Sequence, residues 1–201
     1  MVYGFVVGKT FSWGDQSLFK DVKLRRFNSQ VPSFEDRKQE ISMIIDKMRT
    51  ASIPWTFCHI DCNPTNIIYL EEEDQVIFVD LEACGLCNPI LDIANFLDGA
   101  ASGFDGDPTA RGFTREENKD FMRVYLAERN RLDKGSEKVD ETELEKYLDI
   151  TEMYQIGTCF MVHMMMTTLA MAGMPKEYLE AGVGRLQHYR KNKDRMLSLY
   201  S

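Results

Sequence analysis

The fold of this chain is decided by the stretch Phe57-Cys58-His59-Ile60-Asp61-Cys62-Asn63-Pro64-Thr65-Asn66-Ile67-Ile68, which Val79-Asp80-Leu81-Glu82 follows closely. Short apolar runs at Trp55–Cys58, Asn66–Leu70 and Gln75–Val79 predict three strands. A polar loop joins the first two strands, and an acidic turn joins the last two. The chemistry of the chain is expected in this unit of strand, loop, strand, turn and strand.

The spacing of polar residues in this unit indicates a reaction on a phosphate. Asp61 lies in the concavity of the loop, where its carboxylate could accept a proton from a hydroxyl group. Asn66 offers a neutral oxygen and Asp80 an anionic oxygen, both suitable ligands for Mg²⁺. Glu82 stands two residues after Asp80, so alternation along an extended segment would point it to the same side, towards a second metal. One base and two or three magnesium ligands are what phosphoryl transfer from ATP needs.

Each of these residues also has a simpler interpretation. A lone Asp or Asn in a loop is usually a turn former, so the prediction depends on the whole set and its spacing. His59 is expected to hold the loop by hydrogen bonding rather than to take part in the reaction.

The rest of the chain predicts a mostly helical body. Ser33 begins a helix with a capping-box pattern, and Pro89 and Thr114 begin two more. The charged stretch Asn130–Lys138 is expected to be a solvated connection, and two long helices finish the chain at about 140–172 and 175–197. Gln155–Pro175 contains no Asp, Glu, Lys or Arg and is long enough to cross a membrane, but its polar residues favour a buried core helix.

Composition limits the classes of partner. The 201 residues are 44% hydrophobic, which suffices for one core. The net charge of −8, from 24 basic and 32 acidic residues, argues against nucleic acid or an anionic membrane surface as a partner. Five cysteines and the absence of a secretory leader predict free thiols and a cytoplasmic setting. Cys84 and Cys87 form a single CxxC without a partner pair, so thiols are expected there rather than zinc.

At the quoted loops the chain resembles the C-terminal lobe of the choline/ethanolamine kinase family, a branch of the protein-kinase-like and aminoglycoside phosphotransferase fold. Phe57–Ile67 and Val79–Glu82 resemble its two signature stretches, and Leu91–Phe96 and Thr114–Glu128 resemble helices that follow them. The similarity runs from about residue 33 to the end. It implies an α+β fold, mostly helical, in which a small β-sheet carries the catalytic and metal loops.

The resemblance also implies a set of roles. Asp61 resembles the catalytic base, Asn66 and Asp80 the metal ligands, and Glu82 an acidic residue near the metal. Asp92 resembles a buried residue that ties the catalytic loop in place. The implied cofactors are ATP and Mg²⁺. The implied substrate is a small amino alcohol, choline or ethanolamine, phosphorylated in the first step of phospholipid head-group synthesis.

Two features depart from the family pattern. Relatives that phosphorylate choline enclose its ammonium group with Trp and Tyr rings on the penultimate helix. The run Phe160–Met166 has neither ring type, and Gly99 fills a position where relatives carry an acidic residue. The methionines are explained by flexible core packing. The alternative is a reshaped amino-alcohol pocket, with Asp98, Phe160 and His163 as candidate pocket residues.

The first part of the chain leaves its organisation open. Residues 1–32 are an unassigned lead segment, and residues 33–201 the kinase-like lobe. In this fold an N-terminal lobe supplies a glycine-rich loop and a lysine–glutamate pair, which residues 1–58 do not provide at a suitable spacing. The chain is then a truncated kinase, a non-catalytic module that binds nucleotide or a full-length partner, or a kinase that clamps ATP differently. Apolar surface left by an absent lobe would favour a homodimer.

Overall fold

The computed structural model describes residues 32–102 and 113–199. The chain divides into two compact units, residues 1–37 and residues 38–201. Apart from Pro32, the lead segment expected at 1–32 lies outside the described residues. The segment 103–112, which is rich in Gly, Asp and Pro and is therefore predicted to be a loop, also lies outside them.

The described residues form five helices and four short strands. In chain order these are α1 (Phe34–Arg49), β1 (Thr56–Cys58), β2 (Ile67–Leu70), β3 (Gln75–Phe78), β4 (Gly85–Cys87), α2 (Ile90–Ser102), α3 (Arg115–Lys134), α4 (Glu141–Met171) and α5 (Lys176–Ser198). Short 3₁₀ helices lie at Pro64–Asn66 and Leu81–Ala83. The fold is therefore mostly helical around a small amount of sheet, as the sequence predicts.

The strands form two antiparallel pairs. β2 pairs with β3, so that Ile68 faces Ile77 across the ladder. β1 pairs with β4, so that Phe57 faces Leu86. The sequence predicts a loop where β4 forms, because a three-residue strand that begins with glycine shows no hydrophobic alternation.

Hydrogen-bonded caps begin α1 and α3 at the predicted residues, Ser33 and Thr114. At α1 the Ser33 Oγ accepts from the Asp36 N–H at 3.2 Å, and the Asp36 carboxylate accepts from the Ser33 N–H at 3.3 Å. Thr114 and Glu117 form the same reciprocal box at α3.

The predicted connection at Asn130–Lys138 is wrong in its first half. The helix α3 runs on to Lys134 and ends at Gly135, whose φ of 67° is the left-handed conformation that suits a helix end.

The core is built around α4, which is buried on most of its sides. Its buried residues pack against α1, α2, α3 and α5, and include Leu144, Ile150, Met153, Ile156 and Phe160. A Cβ at Gly157 would collide with the Met48 side chain, so this glycine lets α4 and α1 approach closely. Over the described parts of the chain, no helix is both long enough and apolar enough to cross a bilayer. The charge-free segment is buried at Ile156–Phe160, His163, Met166 and Thr167, in agreement with the predicted core helix.

Both faces of the β2–β3 hairpin carry exposed apolar side chains. Ile68 and Ile77 are on one face, and Tyr69, Val76 and Phe78 are on the other, each between 43% and 58% exposed. Edges and faces of this kind are surfaces that proteins usually cover.

Candidate active site

The polar loop after β1 is held in place by a carboxylate from α2. The two side-chain oxygens of Asp92 accept hydrogen bonds from the backbone N–H groups of His59 and Ile60, both at 2.7 Å. Ile60 has a φ of 70°, a strained conformation for a β-branched residue. Asn95 steadies it by donating to the Ile60 carbonyl oxygen at 2.9 Å. Asp92 thus makes the contacts expected of a residue that ties the loop in place.

Asp61 projects from this loop into solvent next to Asn66. The Asn66 Nδ2 donates to Asp61 Oδ2 and to the Asp61 carbonyl oxygen, both at 3.0 Å. Asn66 is buried, so these bonds fix its amide group, and the side-chain oxygen points away from Asp61. One residue therefore orients the candidate base while it presents an oxygen suited to a metal ion.

The loop is linked directly to the segment that carries Asp80. The His59 Nε2 lies 2.8 Å from the Val79 carbonyl oxygen, and because a carbonyl oxygen only accepts, Nε2 carries the proton. The Val79 N–H donates to the Asn66 carbonyl oxygen at 3.0 Å. These two bonds bring Asp80 next to the loop, and the His59 bond is of the kind that would support the loop in the way predicted for this residue.

Asp80 and Glu82 present carboxylates that are suited to a metal ion. Both side chains are exposed, and neither bonds to another residue within 32–102 or 113–199. Asp80 has a φ of 60° and the 3₁₀ helix Leu81–Ala83 follows it, so the segment is not extended. The extended segment on which the alternation argument depends is therefore absent, and the placement of Glu82 on the same side as Asp80 stays a prediction.

The residues fit Mg²⁺ through mixed ligands. Across the described ranges no three His, Cys, Asp or Glu side chains come together as a metal site. A magnesium ion in a phosphotransferase site is held by one or two carboxylates together with substrate phosphate oxygens. Asn66 and Asp80 offer one amide and one carboxylate oxygen of that kind, and Glu82 a further carboxylate.

The predicted pocket residues are placed differently. Phe160 is 1% exposed and His163 is 0% exposed. The Phe160 ring packs against the rings of His163 and Tyr189, with centroids 5.7 and 5.0 Å apart. These two side chains fill the core between α4 and α5, because the helix that carries them is buried on that side. Neither lines an open cavity.

Asp98 is engaged in a salt bridge. Its carboxylate lies 2.5 Å from the Arg185 guanidinium, and both side chains are largely buried between α2 and α5. Asp98 is thus paired with Arg185, and Phe160 and His163 are packed in the core, so that a role for these residues in a substrate pocket stays a prediction.

The cysteines are all free thiols, as predicted. Cys58 and Cys62 flank the loop and are buried. Burial raises the pKa of each of these thiols to about 11, and the nearby Asp92 carboxylate adds to the effect. They are therefore protonated at neutral pH and serve as packing residues.

Two residues of the site were missed by sequence reasoning. Asn95 and Asn63 both donate side-chain hydrogen bonds to the loop. An Asn before a proline is a turn signal that could have pointed to Asn63. The role of Asn95 depends on the docking of α2 against the loop, which no local pattern reveals.

A family model and individual known proteins point to the same family of kinases. The family model described as choline/ethanolamine kinase matches residues 5–190. Ethanolamine kinase 1 of Homo sapiens is 28% identical over 139 residues, which is 69% of this chain and 30% of that protein. Ethanolamine kinase 2 of Mus musculus is 30% identical over 110 residues, which is 55% of this chain and 28% of that protein.

Solved structures support the same fold. A Plasmodium vivax ethanolamine kinase superposes with a TM-score of 0.66 and 20% identity, covering 90% of this chain and 43% of that one. The chain spans about a third of the length of the curated relatives that it matches.

Proposed function

The chain belongs to the choline/ethanolamine kinase family, and on that premise we propose that it transfers the γ-phosphoryl group of ATP to the hydroxyl group of a small amino alcohol. The observation that carries this proposal is the arrangement of Asp61. Its carboxylate is exposed, is held by Asn66 at 3.0 Å, and projects from a loop that Asp92 clamps. A loop held in this way positions a base for one hydroxyl group.

The residues divide the work of the reaction. Asp61 accepts the proton of the substrate hydroxyl group. The hydroxyl oxygen bonds to the γ-phosphorus of ATP while the bond from that phosphorus to ADP breaks, and ADP leaves. Asn66 and Asp80 would hold Mg²⁺, with Glu82 beside them. When bound, the ion neutralises the charge on the phosphates. His59 and Asp92 keep the base and the metal-binding segment in register.

Ethanolamine is the substrate we favour over choline. The relatives reported above carry the name ethanolamine kinase. A quaternary ammonium group has no N–H to donate and depends on aromatic faces, whereas a primary ammonium group donates three hydrogen bonds. The absence of Trp and Tyr from Phe160–Met166 therefore disfavours choline.

The proposal extends to the setting of the protein. Five free thiols support a reducing compartment such as the cytoplasm. We further propose that residues 33–201 form the C-terminal lobe of this kinase fold. A homodimer is proposed on the exposed apolar side chains of the β2–β3 hairpin, and sedimentation velocity would test it.

The test is a transfer assay on the whole 201-residue chain with labelled ATP, Mg²⁺ and either ethanolamine, choline or no acceptor. We expect label to appear in phosphoethanolamine, and Asp61→Asn to lower kcat by about 10² to 10⁴. Asp46→Asn, an exposed change on α1, is the control and should leave kcat unchanged.

The same assay addresses the rival proposal, a non-catalytic module. Titration calorimetry with ATP and Mg²⁺ is run beside it. Tight nucleotide binding without any transfer would refute the kinase proposal and favour the module. Transfer to choline ahead of ethanolamine would refute the substrate preference alone.

A further inference from the structure

Asn63 forms hydrogen bonds with Asp61, the candidate base, and these bonds have no role in the mechanism proposed above. Its Nδ2 donates to Asp61 Oδ1 at 3.1 Å and to the Asp61 carbonyl oxygen at 3.3 Å. Its Oδ1 accepts from the Thr65 N–H at 2.9 Å and also from the Thr65 hydroxyl. The side chain therefore spans from the 3₁₀ helix to the catalytic carboxylate.

The contacts at Thr65 determine which way the amide of Asn63 faces. A backbone N–H can only donate, so the atom that faces it must be the amide oxygen. The amide nitrogen is then directed to Asp61. The orientation thus follows from the chemistry of Thr65 and does not depend on the contact with Asp61 itself.

The backbone beneath Asn63 is also fixed. Asn63 is the N-cap of the 3₁₀ helix Pro64–Asn66, with an extended backbone at φ −109° and ψ 160°. A Cβ placed on Gly99 of α2 would lie 2.6 Å from the Pro64 Cδ, so the loop lies against the helix without spare room. A side chain on this support can hold its partner to one position.

We propose that Asn63 is a positioning residue for Asp61. The two oxygens of the Asp61 carboxylate each accept one amide N–H, Oδ1 from Asn63 and Oδ2 from Asn66. Hydrogen bonds at both oxygens restrain rotation of a planar carboxylate about its Cβ–Cγ bond, and each oxygen keeps a lone pair for the substrate hydroxyl. This inference rests on the proposed function, since it assigns Asp61 as the base.

The competing explanation is that Asn63 acts only as a cap for the 3₁₀ helix. Two substitutions separate the roles. Asn63→Asp and Asn63→Ser keep an oxygen that can accept from the Thr65 N–H, because Asn, Asp and Ser are comparable caps. Neither keeps the amide donor, and Asn63→Asp puts a second negative charge beside Asp61.

The experiment uses the whole chain labelled with ¹³C at the aspartate carboxyl carbons. The Asp61 resonance is assigned by its loss in Asp61→Asn. We expect Asn63→Asp and Asn63→Ser to move or broaden that resonance at neutral pH. We expect kcat for ethanolamine to fall about tenfold to a hundredfold, with the KM for ATP within about twofold of wild type. Asn192→Ser, which removes an exposed side-chain bond on α5, is the matched control and should change neither.

Each outcome is decisive. An unmoved Asp61 resonance, or a kcat equal to that of Asn192→Ser, overturns the positioning role. A wild-type chain that transfers no phosphate refutes the proposed function instead, and the resonance then still decides whether Asn63 holds Asp61. A circular dichroism spectrum identical to that of wild type verifies that each variant is folded.

Discussion

Replacing Asp92 by Asn tests the connection between α2 and the loop that carries Asp61. Asp92 accepts from the His59 and Ile60 N–H groups at 2.7 Å each, and the site is partly buried. Asparagine has nearly the same shape but one oxygen, so one N–H keeps an acceptor and the other faces an NH₂ group. We therefore expect the loop to loosen and the fold to lose stability.

The size of the loss follows from the bonds involved. A hydrogen bond to a charged group contributes about 1.5 to 3 kcal/mol, and an unsatisfied buried donor costs about 1 to 3 kcal/mol. Asp92→Asn should therefore lower the free energy of unfolding by about 2 to 4 kcal/mol. With a urea m-value of about 2 kcal/mol/M, the midpoint of urea unfolding falls by roughly 1 to 2 M.

The assay is urea unfolding followed by circular dichroism, with Asp46→Asn as control. Asp46 is exposed and pairs with Arg49 only at 3.6 Å, so its replacement should cost less than about 0.5 kcal/mol. If the two variants shift the midpoint equally, the two loop hydrogen bonds do not stabilise the fold and the reasoning fails. An unchanged m-value is required for the comparison to hold.

Two further predictions follow from packing and burial. Gly99→Ala should lower the free energy of unfolding by about 1 to 3 kcal/mol, because the new Cβ would lie 2.6 Å from the Pro64 ring. Gly85→Ala is the control, since its Cβ would meet only an ordinary 3.5 Å contact. Equal urea midpoints for the two variants would contradict this prediction. Burial raises the pKa of three thiols, Cys58, Cys62 and Cys159, to about 11. These thiols ionise near pH 9 once the chain is unfolded, so their contribution to the free energy of unfolding is fully present below about pH 9 and is lost as the pH rises towards 11. The urea midpoint should therefore fall between about pH 9 and pH 11. A midpoint that stays constant over that range would show that the pKa values of these thiols are not raised by folding.

Much of the fold could be predicted because its signals are local. Capping residues marked the beginnings of α1 and α3, and the charge-free run includes the continuously buried stretch Ile156–Phe160 of α4. The connection at Asn130–Lys138 was misjudged, because exposed charged residues occur equally in a solvated loop and in the last turns of a surface helix. Gly135, not the charge, ends α3.

The site could be predicted only in part, because some of its residues are close together in sequence and others depend on contacts between distant segments. One short unit of strands and loops contains Asp61, Asn66 and Asp80, so their spacing in the sequence is enough to predict that they lie near one another. Glu82 depended on the backbone conformation of Asp80, and a left-handed φ in a non-glycine residue has no clear sequence signal. Phe160 and His163 depended on which side of α4 faces α5, which long-range packing decides.

The Asp92 clamp also has a consequence for the order in which the molecule folds. Its two hydrogen bonds join residues that are 33 and 32 positions apart along the chain, with β2, β3 and β4 between them. Closing a loop of that length costs entropy before any contact compensates for it. We therefore expect that the loop after β1 does not take its final conformation in a nascent segment that lacks α2. We expect this loop to reach its final conformation only once α2 has docked, so that the arrangement around Asp61 forms late in folding.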